Sequence, residues 1–77
     1  MIAPTMEILA QAHREYEYSH EAACLINIDG MNYTVFYEDR DDSGRIVFAN
    51  ATGTNNYEDA LHMFAVMVNM CNLELTK

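Results

Sequence analysis

The chain has 77 residues, 51% of them hydrophobic, so it is long enough for a single domain over residues 1–77 and too apolar to be a disordered segment. Twelve acidic residues against four basic ones give a formal net charge of −8. That charge repels nucleic acids and anionic membranes, which argues against direct binding to either, and it favours partners with basic surfaces.

The first residues, MIAPTMEILAQAHREYE, lack the basic region, the long apolar run and the cleavage site of a signal peptide. No apolar run in the sequence approaches the roughly 18 residues of a membrane span. Cys24 and Cys71 lie far apart in the chain and do not form a short metal-binding or redox pair. We therefore predict a cytoplasmic protein with two free thiols, no cofactor and no bound metal.

The first predicted element is a helix. Pro4 and Thr5 suit a helix start, and a stripe of residues then recurs at steps of three and four: Met6, Leu9, His13, Tyr16 and His20. This spacing predicts a helix from about residue 5 to about residue 18.

A hairpin follows in AACLINIDGMNYTVFYE. Asp29 and Gly30 suit a two-residue turn that needs positive φ at both positions. With those two residues as the loop, one sheet face receives the more apolar side chains, which are Cys24, Ile26, Ile28, Met31, Tyr33 and Val35. We therefore expect this face, including Cys24, to be in the core.

The segment RIVFANA is typical of a third strand, and TGTNNYEDALHMFAVMVNMCNL then changes to helical periodicity. Asn55 followed by Glu58 resembles a capping box at the start of this last helix. The predicted fold is α+β in the order α-β-β-β-α, with a three-stranded antiparallel sheet and both helices on one face.

This order of elements is similar to that of the double-stranded-RNA-binding domain over nearly the whole chain. That family grips phosphates with lysines at the start of its last helix, where this chain has NNYEDAL. The resemblance therefore implies the fold and not the RNA-binding function.

The segment YEDRDDSGRIVFAN, residues 37–50, places four carboxylates within five positions: Glu38, Asp39, Asp41 and Asp42. Asp39, Asp41 and Ser43 supply oxygens with the spacing of the opening of a calcium-binding EF-hand loop. The twelfth position, which needs a bidentate glutamate, is Asn50. The pattern favours a polar turn between strands, with weak calcium binding as an alternative.

The sequence contains no pattern typical of a catalytic site. Its two serines, Ser19 and Ser43, do not lie in a nucleophile motif, and there is no glycine-rich phosphate loop. Carboxylates in an exposed loop also lack the burial that shifts a pKa for acid–base chemistry. We expect a non-enzymatic protein.

The last helix carries more apolar surface than a small sheet requires. One stripe suits packing on the sheet: Tyr57, Leu61, Phe64, Val68 and Cys71. A second stripe lies beside it, formed by Met63, Val66, Met67 and Met70. Two interpretations remain open: the first helix covers this surplus, or it is a contact surface for a second copy or another protein.

The leading functional hypothesis is a small inhibitor or modulator that docks its carboxylates on a basic surface of a nucleic-acid-handling complex. An acidic protein of this size could occupy such a groove, as phage-encoded DNA mimics and anti-CRISPR proteins do. The residues expected to contact the partner are Glu15, Glu17, Glu21, Glu38, Asp39, Asp41 and Asp42. The alternative is a homodimeric or assembly subunit that uses the methionine side of the last helix.

Overall fold

The structure of the chain is a computed structural model that describes residues 5–30 and 32–76. The elements are β1 (Met6–Glu15), β2 (Ser19–Ile28), β3 (Asn32–Asp41), β4 (Ile46–Thr54), α1 (Tyr57–Met70) and β5 (Glu74–Leu75). They form one five-stranded sheet in the order β4-β3-β2-β1-β5, in which every neighbouring pair is antiparallel. The predicted α-β-β-β-α fold with a three-stranded sheet and two helices is therefore wrong, and so is its likeness to the double-stranded-RNA-binding domain.

The predicted first helix is the strand β1. Its residues pair with β2 along almost their whole length, and a β-bulge lies between Ile8 and Ala10. The positions expected on a buried helical stripe are exposed, including Met6 and Leu9, whereas Ala12 is buried against Ala23 of β2. Pairing with β2 and burial of small residues beneath α1 override the local helical spacing.

The hairpin between β2 and β3 exists, but its predicted register is wrong by one residue. Asp29 and Gly30 do have positive φ values of 54° and 71°, yet Ile28 pairs with Asn32 and not, as predicted, with Met31, which lies outside the described residues. A slip of one residue moves every side chain of β2 to the other face, whereas Tyr33 and Val35 of β3 lie on the core face as predicted. Leu25 and Val35 are consequently buried opposite each other, while Cys24 lies on the other side of the sheet.

The hydrophobic core lies between α1 and one face of the sheet. Its buried members are Ala12, Ala23, Leu25, Val35, Ala60, Phe64 and Leu73. One helix is about 10 Å wide and strands are about 4.8 Å apart, so α1 covers roughly two of the four long strands. Because α1 packs mainly over β2 and β3, the outer strand β4 stays exposed.

The predicted third strand and last helix are confirmed as β4 and α1. The helix cap lies one residue later than predicted: the Asn56 side chain accepts a hydrogen bond from the Asp59 backbone N–H at 3.0 Å. At the other end, Asn72 has a φ of 55°, and the Leu73 N–H donates to the Val68 carbonyl. This ending turns the chain back to the sheet, where β5 pairs with β1.

The second face of the sheet is covered by no other element of residues 5–30 and 32–76. Strand alternation places half-buried apolar side chains there, among them Cys24, Ile26 and Phe36. Met6 and Ile8, on β1, are more than half exposed on this side. The described residues thus form a single layer of sheet with a helix on one face.

Candidate protein-interaction site

The antiparallel topology brings two acidic groups that are distant in sequence to one end of the sheet. The turn after β1 and the turn after β3 lie side by side, since Ser19 pairs with Asp41 and Glu21 pairs with Asp39. Glu74 of β5, which the sequence did not point to, joins them by pairing with His13. We call this region the acidic end; it holds Glu15, Glu17, Glu21, Glu38, Asp39, Asp41, Asp42 and Glu74.

Three of the chain's four basic residues, Arg14, Arg40 and Arg45, also lie in the acidic end. Arg40 forms a forked contact with Glu38, with Nε to Oε1 at 3.2 Å and Nη2 to Oε2 at 3.3 Å. Its third nitrogen, Nη1, donates to the Gly44 carbonyl at 2.8 Å. Glu38 is therefore neutralised within the molecule and is less available to a partner than the sequence suggests.

Asp41 holds the turn between β3 and β4 together. Its Oδ1 accepts hydrogen bonds from the Ser43 N–H at 3.0 Å, the Ser43 hydroxyl at 2.6 Å and the Arg45 N–H at 3.0 Å. These bonds, led by the one from the Ser43 side chain, lower the pKa of the Asp41 carboxyl below its ordinary value. Two of the oxygens proposed as calcium ligands, Asp41 Oδ1 and Ser43 Oγ, are thus hydrogen-bonded within the turn, which gives the calcium alternative no support.

The hydrogen bonds of Asp41 predict that the effect of Asp41→Asn on thermal stability depends on pH. Because the pKa of Asp41 is depressed in the fold, its stabilising effect is complete above the ordinary value of 3.8 and is lost as pH falls through the folded value. We expect Asp41→Asn to lower Tm at pH 7, and the difference from the wild type to shrink below about pH 4.

The control for this prediction is Asp42→Asn, which removes the neighbouring charge. Asp42 has no hydrogen-bond or ion-pair partner among the described residues, so its Tm should stay close to that of the wild type. Thermal denaturation by circular dichroism across pH 3–7 measures both variants. Equal Tm values for the two variants at pH 7 would contradict the role assigned to Asp41.

Glu21 and Asp39 form a like-charged cross-strand pair on the helix side of the sheet. The Tyr37 hydroxyl donates to Glu21 Oε2 at 2.8 Å, and burial together with this carboxylate raises the pKa of Tyr37. Asp39 Oδ1 is buried and has no hydrogen-bond partner among the described residues. A cationic group placed beside this pair would relieve the repulsion between its two carboxylates.

Glu17 and Asp42 are the most available carboxylates of the acidic end. Both are exposed at the tips of the two turns, and neither has a side-chain partner among residues 5–30 and 32–76. Glu15 is also exposed, with His20 Nδ1 at 3.8 Å from its Oε1, a contact that attracts only when the imidazole is protonated. These three residues, rather than the whole predicted set, can bind another protein without breaking the hydrogen bonds of the turns.

A groove of about 430 Å³ runs between α1 and β4 on the helix side of the sheet. All four residues of the predicted second stripe line it, namely Met63, Val66, Met67 and Met70, with Val35 and Thr52 of the sheet as its floor. Met63 and Met67 are half-buried against the core, whereas Val66 and Met70 are exposed. We call this feature the methionine groove; its far end, at Met70 and Cys71, lies beside the acidic end.

The two cysteines are both free and half-buried. The expected core position is wrong for Cys24, whereas Cys71 packs against the core. Cys24 lies on the uncovered sheet face, where burial and then Glu38 raise the pKa of its thiol. Cys71 is the C-cap residue of α1 and lines the methionine groove.

Within residues 5–30 and 32–76, no three His, Cys, Asp or Glu side chains come together in a way that would hold a metal ion. In the same part of the chain, no helix is long and apolar enough to cross a membrane. Comparison with protein-family models, curated proteins and solved structures gives no match.

Proposed function

We propose that this chain is a non-enzymatic protein-binding domain whose acidic end docks on a basic surface of a larger partner. The observation that carries the proposal is the convergence of eight of the twelve acidic residues on one end of the sheet, from four strands and two turns. Grouped charges of one sign steer a partner of opposite charge and fix its orientation.

The local geometry supports a basic partner in particular. Glu21 and Asp39 are paired across β2 and β3, and the repulsion between their like charges favours an added lysine or arginine from outside. The helix C-terminus points toward the same region without a basic residue in its last turn, so its partial negative charge adds to the field.

Basic grooves of nucleic-acid-handling complexes are the proposed target class, because they already bind rows of phosphates. In this proposal the domain acts as an inhibitor or modulator in the manner of a DNA mimic or anti-CRISPR protein, in the cytoplasm. The adjacent methionine groove would take an apolar side chain or helix of the same partner.

A second candidate is an assembly subunit that receives its neighbour in the methionine groove. The open groove favours this candidate. The first helix, which was predicted to cover the second stripe of α1, is in fact the strand β1 and leaves that stripe uncovered. Assembly through the groove would be salt-insensitive, which distinguishes it from docking by charge.

The test compares two double variants with the same change in net charge. Glu17→Gln/Asp42→Asn removes two free carboxylates from the acidic end, and Glu7→Gln/Glu58→Gln removes two from the opposite end. The immobilised wild type first captures its partner from a cell lysate, mass spectrometry identifies that partner, and calorimetry then measures Kd for the purified pair.

We expect the acidic-end variant to bind about tenfold more weakly, since exposed ion pairs contribute about 0.2–1 kcal/mol each. The control variant should bind within about twofold of the wild type, because its two carboxylates lie more than a Debye length of about 8 Å from the contact. Equal loss in both variants would show that only total charge matters, and no loss in either would refute docking by the acidic end.

A further inference from the structure

The edge strand β4 is an uncharged, unprotected surface in a highly charged protein. All of its residues from Ile46 to Gly53 are exposed, and its side chains are those of Ile, Val, Phe, Ala, Asn, Thr and Gly. Charged residues make up 21% of the chain, yet none occurs in this strand of nine residues, and neither does proline. Strands at sheet edges usually carry charges or proline because their free N–H and C=O groups would otherwise pair with another chain.

The opposite edge of the sheet has such protection. The first half of β1 contains Glu7, its β-bulge distorts the strand near Leu9, and β5 pairs with it at Ala12 and His13. On β4 there is one irregularity, a register shift between Phe48 and Ile46, which leaves a regular edge from Phe48 to Thr54. The asymmetry between the two edges indicates that β4 is covered in the functional state.

We propose that β4 pairs antiparallel with β4 of a second copy of this chain, which joins two five-stranded sheets into one of ten strands. A two-fold axis makes the interface the same surface on both copies, so an uncharged strand meets an uncharged strand. No like charges are brought together across the seam, although each copy carries a net charge of −8.

The antiparallel arrangement also keeps the acidic ends apart. In each copy the acidic end lies at the start of β4, next to Ile46, and the partner's strand runs in the opposite direction. The two acidic ends are then separated by about the length of the strand, roughly 30 Å for nine residues. Salt screens that distance, since the Debye length is about 8 Å at physiological ionic strength.

The dimer would place both helices on the same face of the joined sheet, with one methionine groove on each side of the seam. Phe48 of β4, which is 54% exposed and whose ring centroid lies 5.8 Å from that of Tyr37, would be partly covered by the second copy. Each acidic end would stay free to bind its own basic partner, so dimerisation and the proposed function are separate properties.

Light scattering coupled to size-exclusion chromatography tests the proposal on the intact chain. The wild type should have about twice the chain mass of 8.8 kDa. Asn50→Lys, on the helix side of β4, and Ala51→Lys, on the uncovered side, should both give monomers, because an edge-to-edge seam involves both faces of the strand. Ile8→Lys, exposed on the other edge, should remain a dimer.

A charge-pairing experiment separates loss of contact from loss of folding. Neither Asn50→Lys nor Asn50→Glu should dimerise alone, and an equimolar mixture of the two should recover the dimer mass. Raising the salt concentration should leave the wild-type dimer intact or strengthen it, whereas binding of a basic partner should weaken.

A wild-type monomer at millimolar concentration would overturn the proposal. A dimer that survives both β4 substitutions would also overturn it. If the dimer were kept in Asn50→Lys, its loss in Ile8→Lys would place the contact on the uncovered face. Its loss in Val66→Glu would place the contact in the methionine groove.

Discussion

Leu25→Ala is expected to lower the free energy of unfolding by about 3 kcal/mol and Tm by about 15 °C. Leu25 is fully buried between the sheet and α1, so truncation removes its contacts and leaves a cavity. A 77-residue domain has a total stability of about 4–11 kcal/mol, so this single change removes a large part of it.

The adjacent Cys24 provides a matched control that also tests the hairpin register. Cys24 is half-buried on the uncovered face, and Cys24→Ala should change the free energy of unfolding by less than about 1 kcal/mol. Urea denaturation followed by circular dichroism measures both variants. A larger effect of Cys24→Ala than of Leu25→Ala would support the two-residue loop register and contradict the structure.

Phe64→Ala is expected to have an effect of similar size, about 3–4 kcal/mol. Phe64 is 3% exposed and is the largest buried side chain that α1 contributes to the core. In the part of the chain that the structure describes, α1 is the one helix on the sheet, so loss of this contact weakens the attachment of the whole element. We expect loss of helical signal and unfolding at a lower urea concentration.

Met70→Ala is the control on the same helix. Met70 is 79% exposed, so its truncation should change the free energy of unfolding by less than about 0.5 kcal/mol. Should Phe64→Ala unfold completely, Phe64→Leu gives a smaller loss that can still be measured. Comparable destabilisation by Met70→Ala and Phe64→Ala would mean that α1 packs through the methionine side.

The last helix could be predicted because its signals are local. Fourteen residues from Tyr57 to Met70 keep helical periodicity, and asparagine with acidic residues at their start supplies the cap. The strand β4 was also recognisable, as its β-branched and aromatic start follows a polar turn. Neither prediction depends on what the rest of the chain does.

The first strand could not be predicted from local spacing. The β-bulge between Ile8 and Ala10 interrupts the alternation of β1, so the two-residue period that identifies a strand is lost. Only small side chains such as that of Ala12 fit on β1 beneath α1, and this requirement arises from packing in the folded protein. The predicted register of the next hairpin failed for a related reason, since a shift of one residue in the pairing exchanges the two faces of β2.

The members of the candidate site, except Glu74, could be predicted from the sequence, but their arrangement in space could not. Both acidic groups and the four residues of the methionine stripe were evident from sequence, whereas their arrangement depends on β1 being a strand. That strand brings Glu15 and Glu17 beside the turn at Asp42, and the absence of a first helix leaves the methionine groove open. The pairing of Glu38 with Arg40 and the turn bonds of Asp41 could not be read from spacing alone.

The most direct test of the proposed function is the salt dependence of Kd for the wild-type domain and its purified partner. Docking by the acidic end predicts that affinity falls about tenfold or more between 50 and 300 mM NaCl, and that Glu17→Gln/Asp42→Asn shows a shallower fall. An affinity that is the same at both salt concentrations would contradict the account and assign binding to an apolar surface.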